Sequence, residues 1–112
     1  MEMLNNRVNL VEVSILPGGV RSESIKTNGY LPSMLELPSV MAGTAFTVEV
    51  TFDGGVYWTD LYDDAGNQVS ITVAANRTAY LTPAEWAGLV EFRFVSNADE
   101  VSGLELKVAM VG

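Results

Sequence analysis

The feature that most constrains this chain is an alternation of apolar and polar residues with a period of two, which recurs along most of its length. In "AFTVEVTF", Phe46, Val48, Val50 and Phe52 alternate with polar residues. Successive side chains of a β-strand point to opposite faces, so this pattern predicts a strand with one face in a core. The pattern returns in four other stretches: "RVNLVEVSI", "VSITV", "VEFRFV" and "LELKVAM".

Each of these stretches predicts a set of inward side chains. The predicted inward residues are Val8, Leu10, Val11 and Val13 around a register change, then Val69, Ile71 and Val73, then Val90, Phe92 and Phe94, and finally Leu104, Leu106, Val108 and Met110. Weaker strands are expected at residues 20 to 28, 33 to 38, 55 to 62 and 78 to 81. Turn sequences rich in glycine, proline or aspartate separate them, such as "PGG", "TNGY", "DGG" and "DDAGN".

The segment "TPAEWAG" is the one convincing helical candidate in the sequence. Thr82 suits the N-cap, Pro83 suits the first helical position and Gly88 can end the turn. About eight or nine short strands without strand-helix alternation predict an all-β, single-domain antiparallel β-sandwich. The pattern leaves a jelly-roll and an immunoglobulin-like topology open, with one short helical turn near residues 83-87.

The length of 112 residues fits one domain, 1-112, which buries about 65% of the surface that the unfolded chain exposes. Residues 1-6 are expected to form an extended N-terminal arm. No stretch approaches the roughly 20 apolar residues of a membrane-spanning helix. The net negative charge also disfavours anionic membrane surfaces, so a membrane partner is not expected.

Composition excludes several kinds of chemistry. The chain has no cysteine and no histidine, so it contains no disulfide, thiolate site, imidazole base or Ser-His-Asp triad. The formal net charge of -8 repels phosphate, so nucleic acid is not an expected partner. We expect no enzymatic activity, no catalytic residue and no cofactor.

Acidic residues gather in the turns between residues 53 and 64, where Asp53, Asp60, Asp63 and Asp64 offer oxygen atoms to a metal ion. Their spacing does not match a calcium-binding EF-hand loop, because Tyr62 stands where that loop needs a ligand. Turn chemistry explains them better, since Asp bonds to nearby backbone and Gly accepts a positive φ. We therefore predict no metal site and assign structural turns to Asp53, Gly54, Asp64 and Gly66.

Aromatic residues give the candidate interface or ligand positions, which are Tyr57, Trp58, Tyr62 and Trp86. The first three could form a sugar-binding platform beside the acidic turns. Strand periodicity instead puts at least part of this set in the core, and Trp86 is expected to be buried under the helical turn. Exposed, clustered rings would favour glycan binding, whereas buried rings beside an apolar subunit surface would favour assembly.

Residues 44 to 95 resemble a recurrent small protein of tailed bacteriophages and prophages. The resemblance rests on the "DGG" turn, "LYDDAGN", "VAANR" and "LTPAEWAGLVEFRF". It implies a virion protein made in the bacterial host cytoplasm, and it carries over no catalytic residue. Among virion roles, we favour a capsid cement, or decoration, protein on the outer capsid surface.

A cement protein would bridge neighbouring copies of the major capsid protein. Such a protein gains avidity as a homo-oligomer, and a homotrimer would suit local threefold positions of a shell. The alternative is a carbohydrate-binding or host-recognition module of a tail fibre or baseplate.

Overall fold

The computed structural model describes residues 8–112, so the expected N-terminal arm at residues 1-6 lies outside the described residues. These residues form ten strands and one short helix. The elements are β1 Val8–Ile15, β2 Gly19–Arg21, β3 Ile25–Lys26, β4 Leu31–Glu36, β5 Ala45–Thr51, β6 Thr59–Asp60, β7 Ser70–Thr72, β8 Thr78–Tyr80, α1 Pro83–Trp86, β9 Glu91–Glu100 and β10 Leu104–Val111.

The strands form two antiparallel sheets. One sheet has four strands in the order β1-β10-β4-β8. The other has six, in which β2-β9-β5-β6 form a continuous path while β3 pairs with β9 and β7 with β5. The predicted all-β antiparallel fold with one short helical turn is confirmed. No helix in the described part of the chain is long and apolar enough to cross a membrane.

Apolar side chains from both sheets form one buried cluster. Its aromatic centre is Trp86, which is 1% exposed and lies with its ring centroid 5.2 Å from that of Phe92 and 6.0 Å from that of Phe94. The expected burial of Trp86 is thus confirmed, and a fully buried ring offers no surface to a ligand. Helix α1 places this ring in the core. Gly88, which has φ 85°, follows the helical turn.

The alternation predicted the buried positions of β5, β7, β9 and β10 well, but it extended the inward pattern beyond the ends of two strands. Phe52 is 73% exposed because β5 ends at Thr51 and the chain leaves the sheet there. Val90 is 56% exposed because it precedes the start of β9 at Glu91. Periodicity continues through a sequence even where the strand has ended.

The register change expected in the first strand is also wrong. Eight consecutive residues of β1 pair with β10 without a shift. Since Val13 and Ile15 are buried, the even-numbered residues face outward, and Val8 and Leu10 are 61% and 71% exposed. The apolar side chains at the start of β1 therefore lie on the outer face of the four-stranded sheet.

The weaker strands are shorter than expected, except β4, which has the expected length but is shifted by two residues toward the N-terminus. Residues 20 to 28 contain β2 and β3 with a break between them, and 55 to 62 retain only β6. Residues 33 to 38 correspond to β4, which begins earlier, and 78 to 81 correspond to β8.

Candidate functional site

The first acidic turn is a hydrogen-bonded loop that follows β5. Asp53 accepts hydrogen bonds from the Thr51 hydroxyl at 2.8 Å and from the Tyr57 backbone N–H at 3.0 Å. These bonds, led by the one from Tyr57, lower the pKa of Asp53 below its usual value. Gly54 has φ 75° and Gly55 has φ 94°, so the turn uses backbone conformations that favour glycine.

The second acidic turn depends on Asp63. Its Oδ1 accepts the backbone N–H groups of Ala65 at 3.0 Å and Asn67 at 2.9 Å, and Gly66 has φ 86°. The sequence pointed to Asp64, which is exposed; the carboxylate that holds this turn belongs to the preceding residue. Across residues 8–112, no three acidic side chains come together in a group that could hold a metal ion.

The three aromatic candidates near these turns lie at the surface or close to it. Tyr57 is 69% exposed, Tyr62 is 55% exposed, and Trp58 is half-buried. At least part of this set was expected in the core, but neither tyrosine lies there. For Tyr57 the physical reason is that residues 52 to 58 leave the sheet as a loop, so strand periodicity no longer determines which side chains turn inward. Tyr62 follows the two-residue strand β6 and makes an isolated bridge to Gln68.

Trp58 is held against the outer face of the six-stranded sheet. The guanidinium carbon of Arg93 lies 3.9 Å from the centroid of its ring, a cation-π contact. Arg93 also donates to Glu49 at 2.7 Å, and Arg21 donates to the same carboxylate at 3.1 Å. One face of the indole is therefore already covered by the protein's own arginine.

The ionic network changes the acidity of its members. Burial alone would raise the pKa of Glu49, but the hydrogen bonds from Arg21 and Arg93 outweigh it and lower that pKa. The same bond to Glu49 raises the pKa of Arg21. Sequence reasoning missed this network because strand pairing brings distant residues together; the available signal was the outward position of Glu49 and Arg93 in alternating strands.

A second surface lies on the outer face of the four-stranded sheet. Leu10 pairs with Ala109, Ala109 with Met34, and Met34 with Tyr80. These four residues, which we call the apolar row, cross the whole sheet from β1 to β8. Leu10, Met34 and Tyr80 are 71%, 46% and 65% exposed.

The next row of the same face is polar. Glu12 pairs with Lys107, Lys107 with Glu36, and Glu36 with Thr78. The Lys107 ammonium lies 3.8 Å from a Glu36 oxygen. An exposed apolar row beside charged residues is a candidate protein-binding surface. Periodicity alone could not reveal it, because the row exists only once the strands are paired.

A cleft of about 680 Å³ opens where the turn before β4, the segment after α1 and the tip of the Asp53 loop meet. Its lining is mostly apolar and includes Lys26, Tyr30 and Glu91. Sequence reasoning did not identify this cleft, since its walls come from three distant segments.

Comparisons with known proteins bear on the fold. No protein-family model matches the sequence, and no curated protein is significantly similar to it. Among solved structures, the chain is similar to the crystal structure of the SPBc2 prophage-derived protein YomS, with a TM-score of 0.63 and 13% identity. The similarity covers 100% of this chain and 99% of the other. At this identity, the likeness shows a shared fold.

Proposed function

We propose that this chain is a non-enzymatic structural protein of a tailed-phage virion, specifically a cement protein that binds the outer capsid surface and bridges major capsid proteins. The observation that carries the proposal is the apolar row, which exposes Leu10, Met34 and Tyr80 in register across the four-stranded sheet. Burying such a strip against another protein is favourable at about 25 cal/mol per Å² of apolar surface.

Two further observations support a phage setting. Residues 44 to 95 resemble small phage and prophage proteins, and the fold is similar along its whole length to that of a prophage-derived protein. The net charge of -8 keeps the free surface soluble and repels packaged nucleic acid. An oligomer of this chain would engage several capsid sites at once, which makes modest individual contacts effective.

The test is co-sedimentation of the purified protein with capsids that lack it, followed by heating of the particles. We expect saturable binding and greater resistance of the capsids to heat. Met34→Lys and Tyr80→Glu should each weaken binding by about tenfold or more, since both place a charge in the apolar row. Because one variant adds a positive charge and the other a negative charge, a loss of binding in both indicates an apolar contact and not an electrostatic one.

The matched control is Tyr57→Ser, which removes an exposed aromatic ring from a loop of the other sheet. We expect this variant to bind capsids like the wild type. Circular dichroism and thermal melting of all three variants should match the wild type, because each altered side chain is exposed. A wild-type protein that does not bind capsids would overturn the cement role.

The exposure of Tyr57 and Tyr62 favours a second candidate, a glycan-binding module of a tail fibre or baseplate. The cover of Arg93 on one face of Trp58 weakens it, because a stacking platform needs an open ring. Binding to host surface glycans, lost in Tyr57→Ser and Tyr62→Ser but kept in Tyr80→Glu, would establish this alternative.

A further inference from the structure

The outer edge of β1 carries backbone groups that the described chain leaves without a β-partner. At the end of this strand, the Ser14 carbonyl accepts the Glu23 backbone N–H at 3.1 Å, and the Ser14 N–H donates to the Glu23 carboxylate at 2.9 Å. The backbone groups of Ser14 therefore point away from β10. Because β1 pairs with β10 without a shift, the alternation extends back along the strand.

By this alternation, the N–H and C=O groups of Val8, Leu10 and Glu12 also point to the free edge. Within residues 8–112, no backbone hydrogen bond reaches these three residues from that side. Natural proteins usually protect such an edge with a bulge, a proline or charged side chains, especially lysine. From Val8 to Glu12 the edge has no bulge, proline or lysine, and Glu12 is its one charged residue. Its first two outward side chains, Val8 and Leu10, are exposed and apolar.

We propose that the β1 edge pairs with the β1 edge of a second copy of this chain, antiparallel about a two-fold axis through Leu10. Leu10 then faces Leu10 of the other copy, and Val8 faces Glu12 in both directions. All three free residues exchange both backbone hydrogen bonds, about six bonds in total. A strand edge is complementary to another strand, and a two-fold contact closes on itself.

The register follows from the residues that are free. Moving the axis toward Glu12 places a free residue opposite Ser14, whose groups Glu23 already binds. Among the described residues, the axis through Leu10 pairs all three of these residues with one another. The axis through Leu10 also keeps the two Glu12 carboxylates apart, which a register centred on Glu12 would not.

The pairing makes the outer faces of the two copies continuous. The two four-stranded sheets join into one sheet of eight strands, and the apolar rows of the two copies meet at Leu10. The contact uses a strand edge, so it does not depend on the capsid role. It predicts an even-numbered assembly, whereas the homotrimer expected from the sequence needs a different contact.

The first test is the mass of the purified chain by sedimentation equilibrium over a range of concentrations. We expect twice the 12.1 kDa chain mass, or a larger even multiple. Leu10→Lys should raise the dissociation constant of the two-fold contact by about tenfold or more, because it opposes two like charges at the axis. Val101→Lys, at a valine that is 78% exposed in the turn between β9 and β10, is the control and should leave the mass unchanged.

Cross-linking tests the geometry directly. The chain has no cysteine, so Leu10→Cys introduces one thiol per copy, and the pairing brings the two Cα atoms within about 5.5 Å. A short bis-maleimide should link these variants into dimers. In Thr78→Cys, on the opposite edge, the two thiols lie seven strand spacings apart, about 34 Å, and should not be linked.

A monomeric wild type would overturn the inference. A trimer, or an assembly that is linked through Thr78→Cys but not through Leu10→Cys, would overturn it as well. Loss of capsid binding with an intact two-fold contact would contradict the cement role alone.

Discussion

Glu100 holds Gly43 against the edge of the sandwich through a buried carboxylate. Its Oε2 accepts the Gly43 N–H at 2.8 Å, and its Oε1 accepts the Ala42 N–H at 2.7 Å. The Ser96 hydroxyl adds a third bond at 2.7 Å, and Glu100 is only 1% exposed. A side chain at Gly43 would collide with Ser96 and Glu100, so this approach requires glycine.

Glu100→Ala should destabilise the protein by roughly 2 to 5 kcal/mol, because it leaves two backbone N–H groups and a hydroxyl without their acceptor. Urea denaturation measures this change in the free energy of unfolding. The adjacent Asp99→Ala removes an exposed carboxylate and should stay within about 0.5 kcal/mol of the wild type. Equal stabilities of the two variants would show that the buried bonds do not contribute.

Gly54→Val and Gly66→Val should each lower the free energy of unfolding by roughly 1 to 3 kcal/mol. Both glycines have positive φ, 75° and 86°, which a β-branched residue tolerates poorly. Thermal melting checks the effect. Gly66→Asn is the matched control and should be milder, since Asn adopts this conformation more readily. Unchanged melting of both valine variants would refute the requirement.

The alternation predicted strands where their pairing is regular. Phe46 and Val48 in β5, and Phe92 and Phe94 in β9, are buried as the pattern indicated. These positions were predictable because a strand in the middle of a sheet faces the core along its whole length.

The candidate surfaces were less predictable because they depend on tertiary pairing. Nothing local in the sequence aligns Leu10 with Ala109 or Met34, and only the register of three strands forms the apolar row. The exposure of Tyr57 followed from the loop after β5, whose course is set by hydrogen bonds to Asp53. The sequence alone allows either Asp63 or its neighbour to hold the second turn. Only the geometry of the turn determines that the Asp63 carboxylate accepts the backbone N–H groups.

The two tryptophans should respond differently to truncation. Trp86→Ala should lower the free energy of unfolding by roughly 3 to 5 kcal/mol, because the ring is fully buried among Phe92 and Phe94. Trp58→Ala removes a half-buried ring and one cation-π contact with Arg93, so its effect should be about 1 to 2 kcal/mol. Urea denaturation of both variants compares them, and an equal or larger loss for Trp58 would contradict their assigned environments.

Stability should fall in acid partly through Glu49. Its pKa in the folded protein lies below the ordinary 4.5, so its carboxylate stabilises the fold above that pH, and this contribution is lost as the pH falls through the lowered pKa. The stability gap between the wild type and Glu49→Gln should therefore be constant near neutral pH and shrink below 4.5. Arg93→Gln, which removes a bond to this carboxylate, should move the loss to higher pH. Chemical denaturation at a series of pH values measures both effects, and a gap that does not change with pH would mean that the ionised form of Glu49 contributes nothing to folding.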